Sequence, residues 1–237
     1  MRIGVSRQWA AWLGAIGLAL WSAFATAQPG DAGAFGTTLQ QMLADGSHPY
    51  VRTPDLRSER TPLQQLYERR GWQPLWSEDQ SPTRSALATL SLMRGAENYG
   101  LHGSDYEANQ ILYHLVDLVT TPGVHPDRWA QFDLALSAAV LRFTTHVHYG
   151  RIDPKQAGFD IPVAADRIDR LSILEEVAAA TDPAAVFARI EPPYEHYQLL
   201  KAALPKFRLL ALERGLTDLP AYTGRSVKPG ETYAGAP

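Results

Sequence analysis

The spacing that most resembles a metal site in this sequence is His146-Val147-His148. Two histidines at positions i and i+2 bind zinc together on a strand, because alternate residues of a strand share one face. The apolar residues around this pair recur instead at intervals of three and four, which predicts a helix. A helix turns the two rings about 200° apart. We therefore predict no metal at this pair and no cofactor for the chain.

Cysteine and the common motifs of nucleophilic catalysis are also missing. The 237 residues include no cysteine, which excludes every thiolate nucleophile and every thiolate metal site. The sequence has no Ser-x-x-Lys, P-loop or Gly-x-Gly-x-x-Gly motif. Adjacent acids such as Glu175-Glu176 do not by themselves supply the two carboxylates that a glycosidase holds across a cleft. The sequence therefore predicts that the chain is not an enzyme and has no catalytic residue.

Four side chains are candidates for contacts with a glycan or a protein partner: Trp72, Trp76, Arg151 and Asp153. The two tryptophans flank Pro74, and they either stack on sugar rings or pin the turn around that proline onto the core. Arg151 and Asp153 follow the end of a long apolar segment, where they either bind a ligand or, for Asp153, cap a turn. For both pairs the structural interpretation is the favoured one.

The N-terminus has the pattern of a secretory signal peptide, residues 1–27. Arg2 and Arg7 precede an apolar run, and Ala25-Thr26-Ala27 provides small residues at a cleavage site. We predict cleavage after Ala27 and a periplasmic location. The apolar run is shorter than the roughly 20 residues of a membrane span, and no later stretch is long enough, so no span is expected after cleavage. The net charge of −3 gives no basic excess for nucleic acid.

Helix start and stop signals dominate the remainder of the chain. Thr61-Pro62 and Ser81-Pro82 each have the pattern of an N-cap followed by proline, and Ser104–Glu107 has the pattern of a capping box. The segment from Pro126 to Gly150 is apolar on most sides, which predicts a central helix. Further helices are predicted over 171–179, 183–190 and about 193–214, and no convincing strand is visible.

These signals predict an all-α protein with a single multi-helix domain over residues 61–215. Residues 28–60 are rich in small and polar residues and are expected to form a flexible lead-in, in which 34–44 could form a short helix. Residues 216–237 are again rich in glycine, proline and threonine and are expected to form a linker or tail.

Five pieces of sequence, in a fixed order, carry a resemblance to a known family. The pieces are Leu66-Tyr67 with Arg70-Gly71-Trp72-Gln73-Pro74-Leu75-Trp76; Ala96-Glu97-Asn98-Tyr99-Gly100-Leu101 with Asp105-Tyr106; Leu134–Leu136 and Leu141-Arg142-Phe143 with Tyr149-Gly150-Arg151-Ile152-Asp153-Pro154; Tyr197, Leu200, Lys201 and Leu204; and Val227-Lys228-Pro229-Gly230-Glu231. Over about residues 60–232 the chain resembles the helical scaffold domain at the N-terminus of large periplasmic murein L,D-transpeptidases.

This resemblance implies a role in peptidoglycan cross-link remodelling and cell wall organisation. In that family a separate catalytic domain carries a histidine and a Ser-x-Gly-Cys type motif with the cysteine nucleophile, and none of the matched positions is catalytic. The chain is therefore expected to be a non-catalytic scaffold whose partner is peptidoglycan or an L,D-transpeptidase catalytic domain. The alternative is an N-terminal piece of a full-length L,D-transpeptidase, a transferase whose catalytic cysteine domain is missing from this chain.

Overall fold

The computed structural model describes residues 29–51, 56, 58–160, 168–213, 228 and 230. The predicted signal peptide lies outside the described residues, as does nearly all of the predicted linker. Within the described part the fold is all-α apart from one short hairpin, which confirms the predicted fold class. Across that part no helix combines the length and the apolar character needed to cross a membrane.

The described residues form eight α-helices and one two-stranded antiparallel hairpin. In chain order the elements are α1 (Pro29–Asp45), α2 (Arg60–Arg69), β1 (Ser77–Glu78), β2 (Ser81–Pro82), α3 (Arg84–Arg94), α4 (Ala108–Thr120), α5 (Pro126–Tyr149), α6 (Arg170–Ala179), α7 (Pro183–Ile190) and α8 (Glu195–Ala211). Two 3₁₀ turns, Ala96–Tyr99 and Gly103–Tyr106, connect α3 to α4.

Helix α5 is the centre of the fold, as its sequence predicts. Sixteen of its 24 residues are buried, so it is covered on nearly all sides. It packs against α1, α4, α6 and α7. Its ends match the predicted signals, because Pro126 occupies the first turn and Gly150, with φ of +89°, follows the last helical residue. Each large apolar side chain buried on α5 contributes about 1.5–3 kcal/mol.

Part of the predicted lead-in belongs to the core. Helix α1 is longer than the predicted segment 34–44 and packs along α5. Phe35, Leu39 and Leu43 recur at intervals of four and are buried, with Leu39 fully inaccessible to solvent. The small and polar residues between them conceal an apolar stripe of helical period. Residues 28–60 therefore contain an ordered helix that covers one side of α5.

The start predicted at Ser81-Pro82 is wrong, because these two residues form β2 instead. Asp79 and Gln80 both have positive φ, 46° and 56°, which makes a tight turn that pairs β2 with β1. Helix α3 begins afterwards, and its N-cap is Thr83, whose hydroxyl accepts a hydrogen bond from the backbone N–H of Ala86 at 3.1 Å.

The starts predicted at Thr61 and at Ser104–Glu107 are also displaced. Helix α2 already includes Thr61, since it begins at Arg60. Residues 104–106 lie in a 3₁₀ turn, and α4 begins only at Ala108. Glu107 has a φ of 47° and makes no capping bond, because its carboxylate pairs with the buried Arg142 instead. A long-range ion pair has replaced the local capping box.

Candidate functional site

Of the two candidate tryptophans, Trp76 is completely buried and so cannot serve as a surface platform for sugars. Its indole Nε1 donates a hydrogen bond to Ser137 Oγ at 2.9 Å. Trp72 is half-buried and packs on α1, where a Cβ added at Gly36 would lie 3.0 Å from the Trp72 Cβ. Trp76 therefore lies in the core, and Trp72 packs between the turn after α2 and helix α1.

Asp133 anchors the same turn, and sequence analysis missed it. Its buried carboxylate accepts hydrogen bonds from the Tyr67 hydroxyl at 2.6 Å, from the Leu75 N–H at 3.0 Å and from the Trp76 N–H at 2.8 Å. Burial raises the pKa of Asp133 to about 6, because the charged form is removed from water. The sequence signal that could have indicated this site is an aspartate, Asp133, one turn before Ser137 in the apolar part of α5.

Arg151 and Asp153 lie beside a second polar cluster at the C-terminal end of α5. Arg142 donates hydrogen bonds to Glu107 Oε2 at 3.0 Å and to the Asp105 carbonyl at 2.7 Å. Arg151 Nε lies 2.6 Å from Asp105 Oδ2. Asp153 caps the following turn, because its Oδ1 accepts a hydrogen bond from the Lys155 N–H at 3.0 Å. Both candidate residues thus have structural contacts, although the Arg151 side chain remains half exposed.

The two histidines of the His-x-His pair are directed to different partners, which agrees with the helical prediction. His146 Nδ1 lies 2.9 Å from the Tyr106 hydroxyl, and His148 Nδ1 lies 2.8 Å from the Ile190 carbonyl. Val147 between them is buried. Burial lowers the pKa of His146 because it disfavours the imidazolium. Within the described ranges, no three His, Asp or Glu side chains are grouped so that they could hold a metal ion.

A groove of about 500 Å³ lies between α3, α7 and α8. The polar groups along it come from Ser91, Asn98, Tyr99, Asp182 and Lys201. Lys201 Nζ lies 4.4 Å above the centre of the Tyr99 ring and 2.5 Å from Glu191 Oε1. The volume of this groove lies within the range that is typical of ligand-binding sites.

The residues that line the groove determine which kinds of ligand it can bind. Small residues on α3, Ala88 and Gly95, leave space beside Leu92, and the α7 side adds Pro183 and Ala184. The serine, amide and carboxylate groups can exchange hydrogen bonds with a polar chain. Two pieces of the family resemblance meet here, because Asn98-Tyr99 and Lys201 both line the groove although they lie about 100 residues apart in the sequence. This groove was not predicted from the sequence.

Comparison with known proteins identifies one family. A family model described as "Scaffold domain" matches residues 61–204, which is more than half of the chain. No curated protein and no solved structure matches the chain. The matched residues run from α2 into α8 and include all three walls of the groove. The match confirms the resemblance to a scaffold domain.

Proposed function

The chain belongs to the Scaffold domain family, and from this premise we propose that it is a non-catalytic scaffold module of the murein L,D-transpeptidase system. In this role the domain is exported to the periplasm, binds an L,D-transpeptidase catalytic domain or peptidoglycan, and positions one relative to the other. It contributes no reacting group. The absence of cysteine supports this, since the family reaction needs a thiolate that attacks the peptide carbonyl.

The observation that carries the proposal is that the polar residues in the resemblance contact one another. Asp105 is bound by Arg142 through its carbonyl and by Arg151 through its carboxylate. Lys201 Nζ lies 4.4 Å from the centre of the Tyr99 ring. Groups that are engaged in internal contacts fix the shape of a domain rather than react with a substrate. This pattern favours a role in which the domain is a rigid platform for another module.

The groove between α3, α7 and α8 is the surface that we assign to the contact. It is concave, it carries both hydrogen-bond donors and acceptors, and it is large enough for part of a peptide or glycan chain. An elongated wall component would lie along α3, with its polar groups near Asn98 and Lys201. The exposed apolar residues elsewhere on the domain are not needed for this contact.

The proposal is tested by two binding measurements on the mature chain, residues 28–237. Purified murein sacculi are sedimented with the chain, and a purified L,D-transpeptidase catalytic domain is titrated with it in a calorimeter. We expect saturable binding to at least one of the two probes. A chain that binds neither probe contradicts the proposal.

A variant that fills the groove makes the test specific. Ser91 is exposed on α3 and lines the groove, so Ser91→Trp should block it and reduce binding at least about tenfold, which corresponds to about 1.4 kcal/mol. Gln41→Trp is the matched control, because Gln41 is exposed on α1 and does not line the groove. Equal loss of binding in both variants would contradict the assignment of the groove.

A further inference from the structure

Helix α8 forms one wall of the groove, but it is not part of the apolar core. None of its residues is buried. Among the described residues, neither the buried core nor the half-buried apolar side chains packed against it include a residue of α8. The main neighbour of α8 is the 3₁₀ turn Ala96–Tyr99. Helix α8 is therefore attached to the domain without the apolar burial that holds the other helices.

Polar contacts of two cations hold α8 in place, and we call these contacts the latch. Lys201 Nζ lies 4.4 Å from the centre of the Tyr99 ring and 2.5 Å from Glu191 Oε1. Arg208 donates a hydrogen bond to Asn98 Oδ1 at 3.2 Å. Lys201 and Arg208 lie seven residues apart, which is about two helical turns, so both extend from the same side of α8.

The latch is weak compared with apolar packing, because water reaches most of it. Arg208 is exposed, and the Lys201 side chain is 30% exposed. Ion pairs and cation–π contacts at such sites contribute little to stability. The pair of Lys201 with Glu191 is the strongest contact, since the Glu191 carboxylate is only 5% exposed. Because segments that bury little apolar surface open more readily than the core, we expect α8 to detach far more often than the domain unfolds.

The segment between α7 and α8 can act as an arm for this movement. Pro192 and Pro193 lie between Glu191 and Tyr194, which both have extended backbone. Proline has no N–H, so two consecutive positions of the arm donate no hydrogen bond to the domain. Rotation at the ends of the arm moves α8 as a unit and leaves the core contacts of α7 unchanged.

We propose that α8 is a movable wall of the groove, which undocks when the latch opens and which a ligand in the groove holds docked. This inference rests on the proposed function and deepens it, because it states how access to the groove is controlled. A ligand that lies between α3, α7 and α8 contacts all three walls only while α8 is docked. Its affinity therefore differs between the two positions of α8, and ligand binding and docking are coupled.

The first test is amide hydrogen exchange of the mature chain, measured by mass spectrometry on peptides from α8 and α5. Pro205 weakens α8 as an isolated helix, so undocking should expose its amides, and α8 should exchange faster than α5. Lys201→Met keeps a similar helix propensity and removes the charge. It should speed exchange in α8 about tenfold and leave α5 unchanged. Lys206→Met is the matched control and should change neither, because Lys206 is exposed on α8 and does not line the groove.

A thiol probe separates undocking of α8 from unwinding of the helix. The chain has no cysteine, so an introduced cysteine is its only thiol. Leu204 is half-buried on α8, and Leu204→Cys should react faster with a maleimide when Lys201→Met is added. Ala202 is exposed on the same helix, so Ala202→Cys should react at the same rate with and without Lys201→Met.

The coupling is tested by adding a saturating concentration of the L,D-transpeptidase catalytic domain or of soluble murein fragments. We expect the bound probe to slow both hydrogen exchange in α8 and the reaction of Leu204→Cys. A probe that binds and changes neither rate would overturn the coupling and leave the scaffold role intact. Equal α8 exchange in the wild-type and Lys201→Met chains would overturn the latch. Failure of the scaffold role is recognised separately, by the absence of binding to sacculi and to the catalytic domain.

Discussion

The Asp133 carboxylate should make the protein more stable in mild acid. Its pKa in the native state is raised by burial from 3.8 to about 6, so folding takes up a proton between these values. A group that binds its proton more tightly when folded adds stability as the pH falls. Asp133→Asn removes this titration and keeps a side chain of the same shape, whose oxygen can still accept from the Leu75 and Trp76 N–H groups.

The magnitude follows from the two pKa values. A difference of one pKa unit corresponds to 1.36 kcal/mol, and between about pH 7.5 and about pH 4.5 the wild-type protein should gain about 2 kcal/mol relative to Asp133→Asn. For a domain of this size the gain corresponds to about 4–8 °C in melting temperature. The comparison with the variant removes the contributions of all other titrating groups.

The assay is urea unfolding of both chains at a series of pH values, followed by tryptophan fluorescence, to which the buried Trp76 and Trp129 contribute. Asp127→Asn, an exposed change on the same helix, is the control and should leave the pH dependence unaltered. A difference between wild type and Asp133→Asn that is independent of pH, or that grows in the opposite direction, would refute the reasoning.

Three more predictions concern the packing around α5. Burial lowers the pKa of His48 from 6.5 to about 4. The stability that the neutral His48 contributes is therefore present above pH 6.5 and is lost as the pH falls through 4. In urea titrations, His48→Gln should reduce this sensitivity to acid. Arg142→Met removes the ion-pair partner of the buried Glu107 and should lower the free energy of unfolding by about 3–5 kcal/mol. The loss should be smaller when Glu107→Leu is added, which a double-mutant cycle would measure. Leu39→Ala should cost about 2–5 kcal/mol in urea unfolding, whereas a change near zero would mean that α1 is not part of the cooperative core.

The elements that could be predicted from the sequence have local signals at both ends. Proline and glycine fix the ends of α5, and Asp182 caps α7 by accepting a hydrogen bond from the Ala184 N–H at 3.0 Å. The same kind of signal failed at Ser104–Glu107, where Arg142, 35 residues away, recruits the Glu107 carboxylate. A local rule cannot anticipate a partner that only the fold brings near.

The candidate site was less predictable for the same reason. The residue types of Trp72 and Trp76 left a surface platform open as an alternative to packing, but the partners that bury Trp76, Asp133 and Ser137 of α5, are more than 50 residues away in the sequence. The groove combines α3, α7 and α8, and its small wall residues carry no chemical signature in the sequence. The resemblance to the family, in contrast, rests on the order of the pieces along the chain, and recognising it needs no knowledge of their contacts.

The packing of α1 against α5 sets an order of events during synthesis. Helix α1 ends at Asp45, but its packing partner is complete only when Tyr149 has been added. At roughly 5–20 residues per second the ribosome needs about 5–20 s to make the residues between them. Throughout this interval the apolar side chains of α1, Leu39 among them, lack the complete α5 surface on which they pack in the native fold, although α2 is already available. We therefore expect the exposed apolar stripe of α1 to make the nascent chain prone to association until α5 is complete.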